Sequence, residues 1–236
     1  MDSEAQAVWK EFENFHRPNG SNATRHAIID RLLRSELEAD SAARVVVVGA
    51  GFDTRAFRLR GGRWVEIDEP ALLARKESRL PTGSAPNSLT RVPIQFASES
   101  LGAKLAPFAG PERTHVVVEG VLMYLTLAQR RALLEPLRKC YPHHVVYCDL
   151  MRESFANSYG REIREKLASM GAPFRDVTEH PERLFTEAGY VRLACESIPL
   201  TAAERGAIDV PAFAIRWFMR KLRRGYCVWK WERRAG

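Results

Sequence analysis

The chain of 236 residues is 45% apolar and 28% charged. It can bury a sizeable core and is not disordered by composition, and its length suits one α/β domain with a small appendage. Four cysteines (Cys140, Cys148, Cys195, Cys227) form no Cys-x-x-Cys pair, which argues against a zinc site or a disulfide scaffold. The opening Met1-Asp2-Ser3-Glu4 is too acidic for a signal peptide. The most apolar short run, Val45 to Gly51, is too short to cross a bilayer. A cytoplasmic protein with reduced thiols and no membrane partner is therefore expected. The net charge of +7 is local: eight Lys/Arg and one acid (Glu232) lie between Arg216 and Gly236, and the remainder carries 28 of each sign.

In chain order, Ile28, Ile29, Leu32, Leu33 and Leu37 form a helical stripe over Thr24–Leu37. Ser21, Asn22 or Thr24 would cap it. Arg44–Val48 is a β-branched run ending at Gly49 and predicts a fully buried strand. Trp64–Asp68 predicts a second strand, and Pro70 sits where a helix would begin. Pro81–Ser88 is a loop, followed by predicted strands at Arg91–Phe96 and Thr114–Glu119. Thr126 and Gln129 form a capping box for a helix to about Lys139, with a kink or early stop expected at Pro136. His144–Cys148 is a fifth strand. Phe155, Tyr159, Ile163 and Leu167 recur every four positions on an otherwise charged helix. Two late strands, Tyr190–Ile198 and Tyr226–Trp231, flank a helical insert containing Phe213, Trp217 and Phe218. Such βα alternation implies a mostly parallel sheet with helices on both faces. Ligands then bind beyond the carboxyl ends of the strands, where Gly49, Asp68, Gln95 and Glu119 all fall.

Gly49-Ala50-Gly51-Phe52-Asp53-Thr54 reads as a glycine turn between strand and helix, and such a turn can also exist without a ligand. A nicotinamide dinucleotide is the obvious guest, but Thr54 stands where the third glycine of Gly-x-Gly-x-x-Gly would be. Asp53 would moreover face, and repel, a pyrophosphate at the helix N-terminus. An uncharged or cationic ligand suits the turn better, and S-adenosylmethionine qualifies because it has a sulfonium and no phosphate. Asp68 can accept from both ribose hydroxyls, or can serve as a helix cap.

Several segments together resemble the leucine carboxyl methyltransferase superfamily, which includes the polyketide O-methyltransferases. They are Arg25-x-x-x-Ile29-Asp30, the turn Gly49–Arg55, Val65–Pro70 with Lys76, and Glu119-Gly120-Val121-Leu122-Met123-Tyr124-Leu125. The likeness runs from about Arg25 to Lys139 and is thin after Arg152. It implies a class I S-adenosylmethionine-dependent methyltransferase: a Rossmann-like, seven-stranded sheet with the last strand antiparallel, a helical cap or lid over residues 1–40, and a cofactor domain over 41–236. Helical inserts would occupy about 152–175 and 201–224. By position, Arg25 would pair with the methionine carboxylate, and Gly49 and Gly51 would let the backbone approach the cofactor. Asp68 would hold the ribose, Phe96 would pack on adenine, and Glu119 would lie near the methionine amino group. Tyr124 would lie near the reacting face. Gln95, where the family carries Asp, can still accept from the adenine amino group.

Methyl transfer to oxygen needs in-line orientation, and a base only when the acceptor is not already ionised. His26, His115, His144 and Asp149 are candidate bases, each equally readable as a structural residue. Tyr124 either orients the acceptor or is an ordinary half-buried aromatic. Acceptor choice is expected in the least family-like parts: Met1–Asn22, the stripe from Phe155 to Leu167, and the insert Thr201–Arg224. Plain packing competes for the stripe, and filling of the core edge for Phe213, Trp217 and Phe218. The leading expectation is an O-methyltransferase of secondary metabolism acting on a small-molecule hydroxyl or carboxylate, with no metal and with a homodimer left open. A second reading is a nucleic-acid methyltransferase using the basic tail with Trp217, Tyr226, Trp229 and Trp231. Solvated basic residues around a final strand are the preferred account of that tail, so nucleic acid is not the favoured partner. A non-catalytic cofactor-binding scaffold or a dinucleotide oxidoreductase completes the set.

Overall fold

A computed structural model describes Gln6, Lys10 and residues 13–233. Seven strands form one sheet in the order β3-β2-β1-β4-β5-β7-β6. They are β1 (Arg44–Val48), β2 (Arg63–Asp68), β3 (Ser88–Pro93), β4 (Thr114–Val118), β5 (His144–Met151), β6 (Tyr190–Ser197) and β7 (Tyr226–Arg233). The pairings among β1 to β5 are parallel, and β7 runs antiparallel between β5 and β6. The expected seven-stranded methyltransferase-like sheet is therefore present. Successive strands are added to one side of β1 as far as β3 and to its other side from β4 onward, so a crevice opens beyond the carboxyl ends of β1 and β4.

The central strands are buried on both faces, which is why they read as unbroken apolar runs. Val46, Val48, Val65 and Val116 enter one core with Leu133, Leu134 and Leu137. Val45, Val47, Trp64 and Val117 enter the other with Ile28, Ile29, Leu33 and Leu37 of α1 (His16–Ala39). This helix begins well before the expected start and has no side-chain cap. Pro18 is tolerated in its first turn, where amides lack intrahelical acceptors.

Several further boundaries differ from expectation, among them the end of β5, which runs to Met151 rather than Cys148. β3 covers Ser88–Pro93 rather than Arg91–Phe96. It is an edge strand in register with β2 up to the Asp68–Pro93 pair, and Pro93 has no N–H to carry a ladder further. The capping box is present: the Thr126 hydroxyl accepts from the Gln129 N–H at 3.2 Å, and Gln129 Oε1 accepts from the Thr126 N–H at 2.9 Å. The helix it opens, α5 (Leu127–Cys140), runs through Pro136. Leu133, Leu134 and Leu137 on either side are buried, and that packing outweighs the roughly 3 kcal/mol a mid-helix proline costs. The Phe155 stripe is divided between two short helices, α6 (Glu153–Ala156) and α7 (Arg161–Ser169), with Tyr159 in the turn between them.

The remaining helices are α2 (Arg55–Arg58), α3 (Pro70–Arg79), α4 (Leu101–Leu105), α8 (Arg183–Glu187), α9 (Ile198–Glu204), α10 (Ala212–Trp217) and α11 (Arg220–Gly225). The last three form the insert between β6 and β7. Among the described residues, no helix is long and apolar enough to cross a membrane.

Behind β2 lies a buried ion triad. Lys76 Nζ is 2.8 Å from Glu66 Oε2, and Arg91 Nε donates to the same oxygen at 3.0 Å. Lys76 is wholly buried and Glu66 nearly so. Arg91 also pairs with Glu77, so the group holds two charges of each sign, and removing Lys76 leaves the buried Glu66 sharing one cation with a second carboxylate. Lys76→Ala is expected to lower stability by about 3–5 kcal/mol in urea unfolding; an unchanged midpoint would show the triad contributes nothing.

Candidate active site

Beneath the crevice, Arg55 is fully buried at the start of α2 and contacts three carboxylates. Its Nε donates to Asp30 Oδ1 of α1 at 2.6 Å, and its Nη2 to Glu119 Oε2 beyond β4 at 2.6 Å. Its Nη1 pairs with Asp53 Oδ2. Arg58 Nη1 takes the other Asp30 oxygen at 2.7 Å. Arg25 donates through Nε to Glu119 Oε1 at 2.9 Å, and through Nη1 to the Tyr226 hydroxyl at 2.7 Å and to Asp149 Oδ2 at 3.3 Å. The Tyr226 hydroxyl donates to Asp149 Oδ2 at 2.8 Å, and Asp149 Oδ1 accepts from the Gly120 N–H at 2.7 Å. One network thus joins α1, the turn after β1, and the ends of β4, β5 and β7.

The network fixes its own protonation. Burial would raise the Glu119 pKa, but a hydrogen bond from His26 and the charges of Arg55 and Arg25 hold it far below the usual carboxylate range. Burial likewise opposes charging of Arg25, and Tyr226, Asp149 and Glu119 overcome it. Asp30 is also lowered: hydrogen bonding from Arg58 and the charge of Arg55 outweigh its burial.

The sequence-expected ligands divide by role. Gly51 has φ +45°, and a Cβ there would meet nothing within 4 Å, so its backbone faces open space. Gly49 is different: at φ +69° an added Cβ would lie 2.4 Å from Val121 Cγ2. Its close approach is to the chain itself. Asp68 accepts from the Gly51 N–H at 2.6 Å and the Glu69 N–H at 2.7 Å. An ionised carboxylate offers about four acceptor positions, which leaves room for ribose hydroxyls. Gln95 lies in the turn after β3 with an exposed side chain, and its N–H donates to Glu99 Oε2 at 2.7 Å. The Phe96 ring is exposed, and its N–H is held by Glu69 Oε1 at 3.1 Å. Arg25 has committed Nε and Nη1, so only Nη2 takes part in none of these bonds. A bidentate grip on a carboxylate is not free to it.

The expected repulsion by Asp53 requires correction. Its Oδ1 accepts from the Arg55 N–H at 2.7 Å, and its other oxygen pairs with the Arg55 guanidinium. The charge is compensated. A diphosphate is disfavoured for another reason: the amides that would cradle it are spent, Gly51 N–H on Asp68 and Arg55 N–H on Asp53.

Two candidate bases fall away. His115 and His144 stand near the starts of β4 and β5, at the opposite edge of the sheet. Burial lowers the His115 pKa to about 4, and the ring contacts the Tyr147 hydroxyl at 3.1 Å. His144 bonds the Tyr141 carbonyl and the Tyr190 hydroxyl. His26 and Asp149 reach the site, both inside the ion network. Tyr226 was placed by sequence among stacking aromatics; its role as partner of Arg25 carried no local signal.

Next to Arg25 and Gly120 opens a cavity of about 630 Å³. Tyr124, Met123 and Tyr226 form its inner wall. Asn19 and Asn22 of α1, Phe155, Ile163 and Leu167 of the stripe, and Met219 and Leu222 of the insert complete it. The stripe thus lines a cavity. Phe213, Trp217 and Phe218 are not among its lining residues and are exposed; they neither wall the cavity nor fill the core edge.

The family model for leucine carboxyl methyltransferase matches residues 1–138, more than half of the chain. The chain belongs to the leucine carboxyl methyltransferase family. A protein of Streptomyces coelicolor provisionally named an S-adenosyl-L-methionine-dependent methyltransferase is 36% identical over 120 residues, 47% of this chain and 39% of its own. A similarly named protein of Parafrankia is 34% identical over 125 residues, 49% of this chain and 39% of its own. The chain thus spans about two fifths of the length of these relatives. Among solved structures, a DUF574 family protein of Streptomyces avermitilis superposes with TM-score 0.59 at 13% identity, over 97% of this chain and 88% of that one. Magnesium protoporphyrin IX methyltransferase of Synechocystis, with S-adenosylhomocysteine bound, gives 0.54 at 11% identity, over 98% and 100%. These likenesses establish the class I methyltransferase fold.

The residues of this family member fit S-adenosylmethionine. Open space over Gly51, a carboxylate at Asp68, the exposed Phe96 ring and the Arg25–Glu119 pair suit a nucleoside joined to a zwitterion.

The depressed Glu119 and Asp30 pKa values carry a pH consequence. Their contribution to stability is present above the unfolded carboxylate value, about 4.3 for Glu. It is lost as pH falls toward the folded values. Glu119→Gln is expected to flatten the fall of Tm between about pH 5 and 2. A melting series in which the variant tracks the parent over that range would remove Glu119 from the account.

Proposed function

We propose that this protein transfers a methyl group from S-adenosylmethionine to a hydroxyl or carboxylate oxygen of a small, largely apolar molecule. The carrying observation is the 630 Å³ cavity beside Arg25 and Tyr124. Its volume lies within the usual range for small-molecule pockets, and its walls mix apolar side chains such as Ile163, Leu167, Met219 and Leu222 with polar ones such as Asn19, Asn22, Arg25 and Arg161. All three segments expected to choose the acceptor contribute to it.

The bound cofactor supplies an activated methyl group on a sulfonium. The protein's part is orientation and exclusion of water. Arg25, fixed by Glu119, Asp149 and Tyr226, presents Nη2 to the anionic end of a zwitterion. The Tyr124 ring meets Phe174 edge-on at 5.5 Å between centroids. Burial, reinforced by the charge of Asp149, raises the Tyr124 pKa, with Arg25 opposing. Its hydroxyl therefore keeps its proton at neutral pH and acts as a donor orienting the acceptor oxygen, not as a base. A carboxylate acceptor would need no base at all.

The nucleic-acid reading loses its main support, because Tyr226, Trp229 and Trp231 are interior. Of the four rings it invoked, only Trp217 is exposed.

Calorimetry with S-adenosylhomocysteine and turnover with candidate acceptors test the proposal together. Ile163→Trp is expected to narrow the acceptor cavity, lowering kcat/KM for methyl transfer at least about tenfold while leaving cofactor affinity unchanged. Gly51→Ala is expected to weaken cofactor binding at least tenfold, about 1.4 kcal/mol, in a protein that still folds. Tyr124→Phe should slow turnover by roughly tenfold, the worth of one hydrogen bond. Wild-type cofactor affinity in Gly51→Ala, or a dinucleotide bound in place of S-adenosylhomocysteine, would overturn the assignment. Turnover by Ile163→Trp at the parent rate would detach the acceptor from this cavity.

A further inference from the structure

The insert has a second face that methyl transfer does not use. On α10, Phe213 and Trp217 are four residues apart and share one side, and Phe218 follows directly. Their exposures are 65%, 75% and 79%, whereas Ile215 on the opposite side of the helix is fully buried. Three neighbouring rings exposed to this degree are an interaction surface rather than scattered apolar residues.

Five of the eight basic residues noted in the sequence lie on the helices that carry these rings or directly follow them, α10 and α11. Within β7, Lys230 Nζ pairs with Glu36 Oε1 at 2.5 Å, and Arg233 Nη1 donates to the Arg138 carbonyl at 2.6 Å. Arg216, Arg220, Lys221 and Arg224 are exposed on α10 and α11. Arg216 pairs with Glu204, and Arg223 donates to the Arg216 carbonyl at 2.5 Å, tying the two helices together.

Two anionic partners could meet such a surface. Single-stranded nucleic acid binds in a basic groove whose walls offer stacking platforms. Phe213, Trp217 and Phe218 instead stand proud of the surface, and the described cavities include none of them. Projecting aromatic rings beside Arg and Lys match the headgroup boundary of an anionic bilayer.

We propose that the α10–α11 face docks this protein on an anionic phospholipid bilayer, with Phe213, Trp217 and Phe218 entering the headgroup boundary. Arg220, Lys221 and Arg224 lie against lipid phosphates. The expectation of no membrane partner rested on the lack of a spanning segment, and peripheral docking requires none. Because Met219 and Leu222 of this insert line the acceptor cavity, the docked face sits on its outer wall.

The test is co-sedimentation of the full chain with vesicles of phosphatidylglycerol and phosphatidylcholine, against phosphatidylcholine alone. It needs neither cofactor nor acceptor, so its outcome is independent of the methyl-transfer proposal. The expected result is salt-sensitive binding to the anionic vesicles only. Phe213→Ser/Trp217→Ser/Phe218→Ser should lower the bound fraction at least about tenfold with an unchanged circular dichroism spectrum. Arg220→Glu/Lys221→Glu/Arg224→Glu should do the same through charge alone. No binding to anionic vesicles, or equal binding by either triple variant, would overturn the proposal. So would a dimer by light scattering that the aromatic variant dissociates, without vesicle binding, which would assign the face to a second copy. A gel shift of single-stranded RNA lost in the same variant, again without vesicle binding, would assign it to nucleic acid.

Discussion

One buried guanidinium holds this crevice together. Arg55 is the first residue of a four-residue helix too short to be stable alone. It is placed by carboxylates from three separate elements: α1, the turn after β1 and the end of β4. A buried cation without partners would be prohibitively costly, and a buried ion group is justified only when its hydrogen-bonding capacity is met. Here all three guanidinium nitrogens are engaged. The arrangement is specific rather than strongly stabilising: the turn, the helix and the strand end satisfy Arg55 in one relative placement. Arg25 extends the same logic to β5 and β7.

That network also decides what the crevice can receive. Beneath it Asp30, Asp53, Glu119 and Asp149 face Arg25, Arg55 and Arg58, so no large positive field awaits an anion. The amides that ordinarily bind phosphate are already occupied by Asp68 and Asp53. A nucleoside bearing a zwitterion costs such a site less than a diphosphate. The preference for a sulfonium cofactor thus comes from spent donors and balanced charge, not from one exposed carboxylate.

The legible parts of the sequence were those where local pattern and global burial agree. Strands buried on both faces show as apolar runs, so β1 and β4 were read almost to the residue, and the capping box fixed the start of α5. β3 was misplaced because an edge strand needs no such run, and Ser88 and Thr90 look like loop. Asp53 was misjudged for a related reason: whether a carboxylate is bare depends on its partner's direction, and Arg55 turns inward only because α1 supplies Asp30. Tyr226 was invisible as a site residue because its partner Arg25 is 201 positions away. The Phe155 stripe reads as one helix, but Tyr159 falls in a turn between α6 and α7, and periodicity also cannot distinguish a face turned to a core from one turned to a cavity.

The two halves of the site are tied together by hydrogen bonds centred on one arginine side chain. Residues 1–138 carry the family likeness and supply the cofactor side. Much of the wall of the cavity proposed for the acceptor comes from later, less familiar segments. Arg130 bridges the two: Nε donates to the Leu122 carbonyl at 2.8 Å, Nη2 to the Arg175 carbonyl at 2.5 Å and Nη1 to the Asp176 carbonyl at 3.1 Å. The Arg175 N–H returns a bond to the Met123 carbonyl at 2.8 Å, and Asp176 Oδ2 accepts from the Leu127 N–H at 2.7 Å. Phe174 is thereby held against Tyr124. A wall stitched by five such bonds cannot easily adapt to each acceptor by moving its backbone. Selectivity on this side of the cavity must therefore lie in side-chain shape, so acceptor preference should follow substitutions at lining positions such as Met123 and Phe174 rather than changes in loop length.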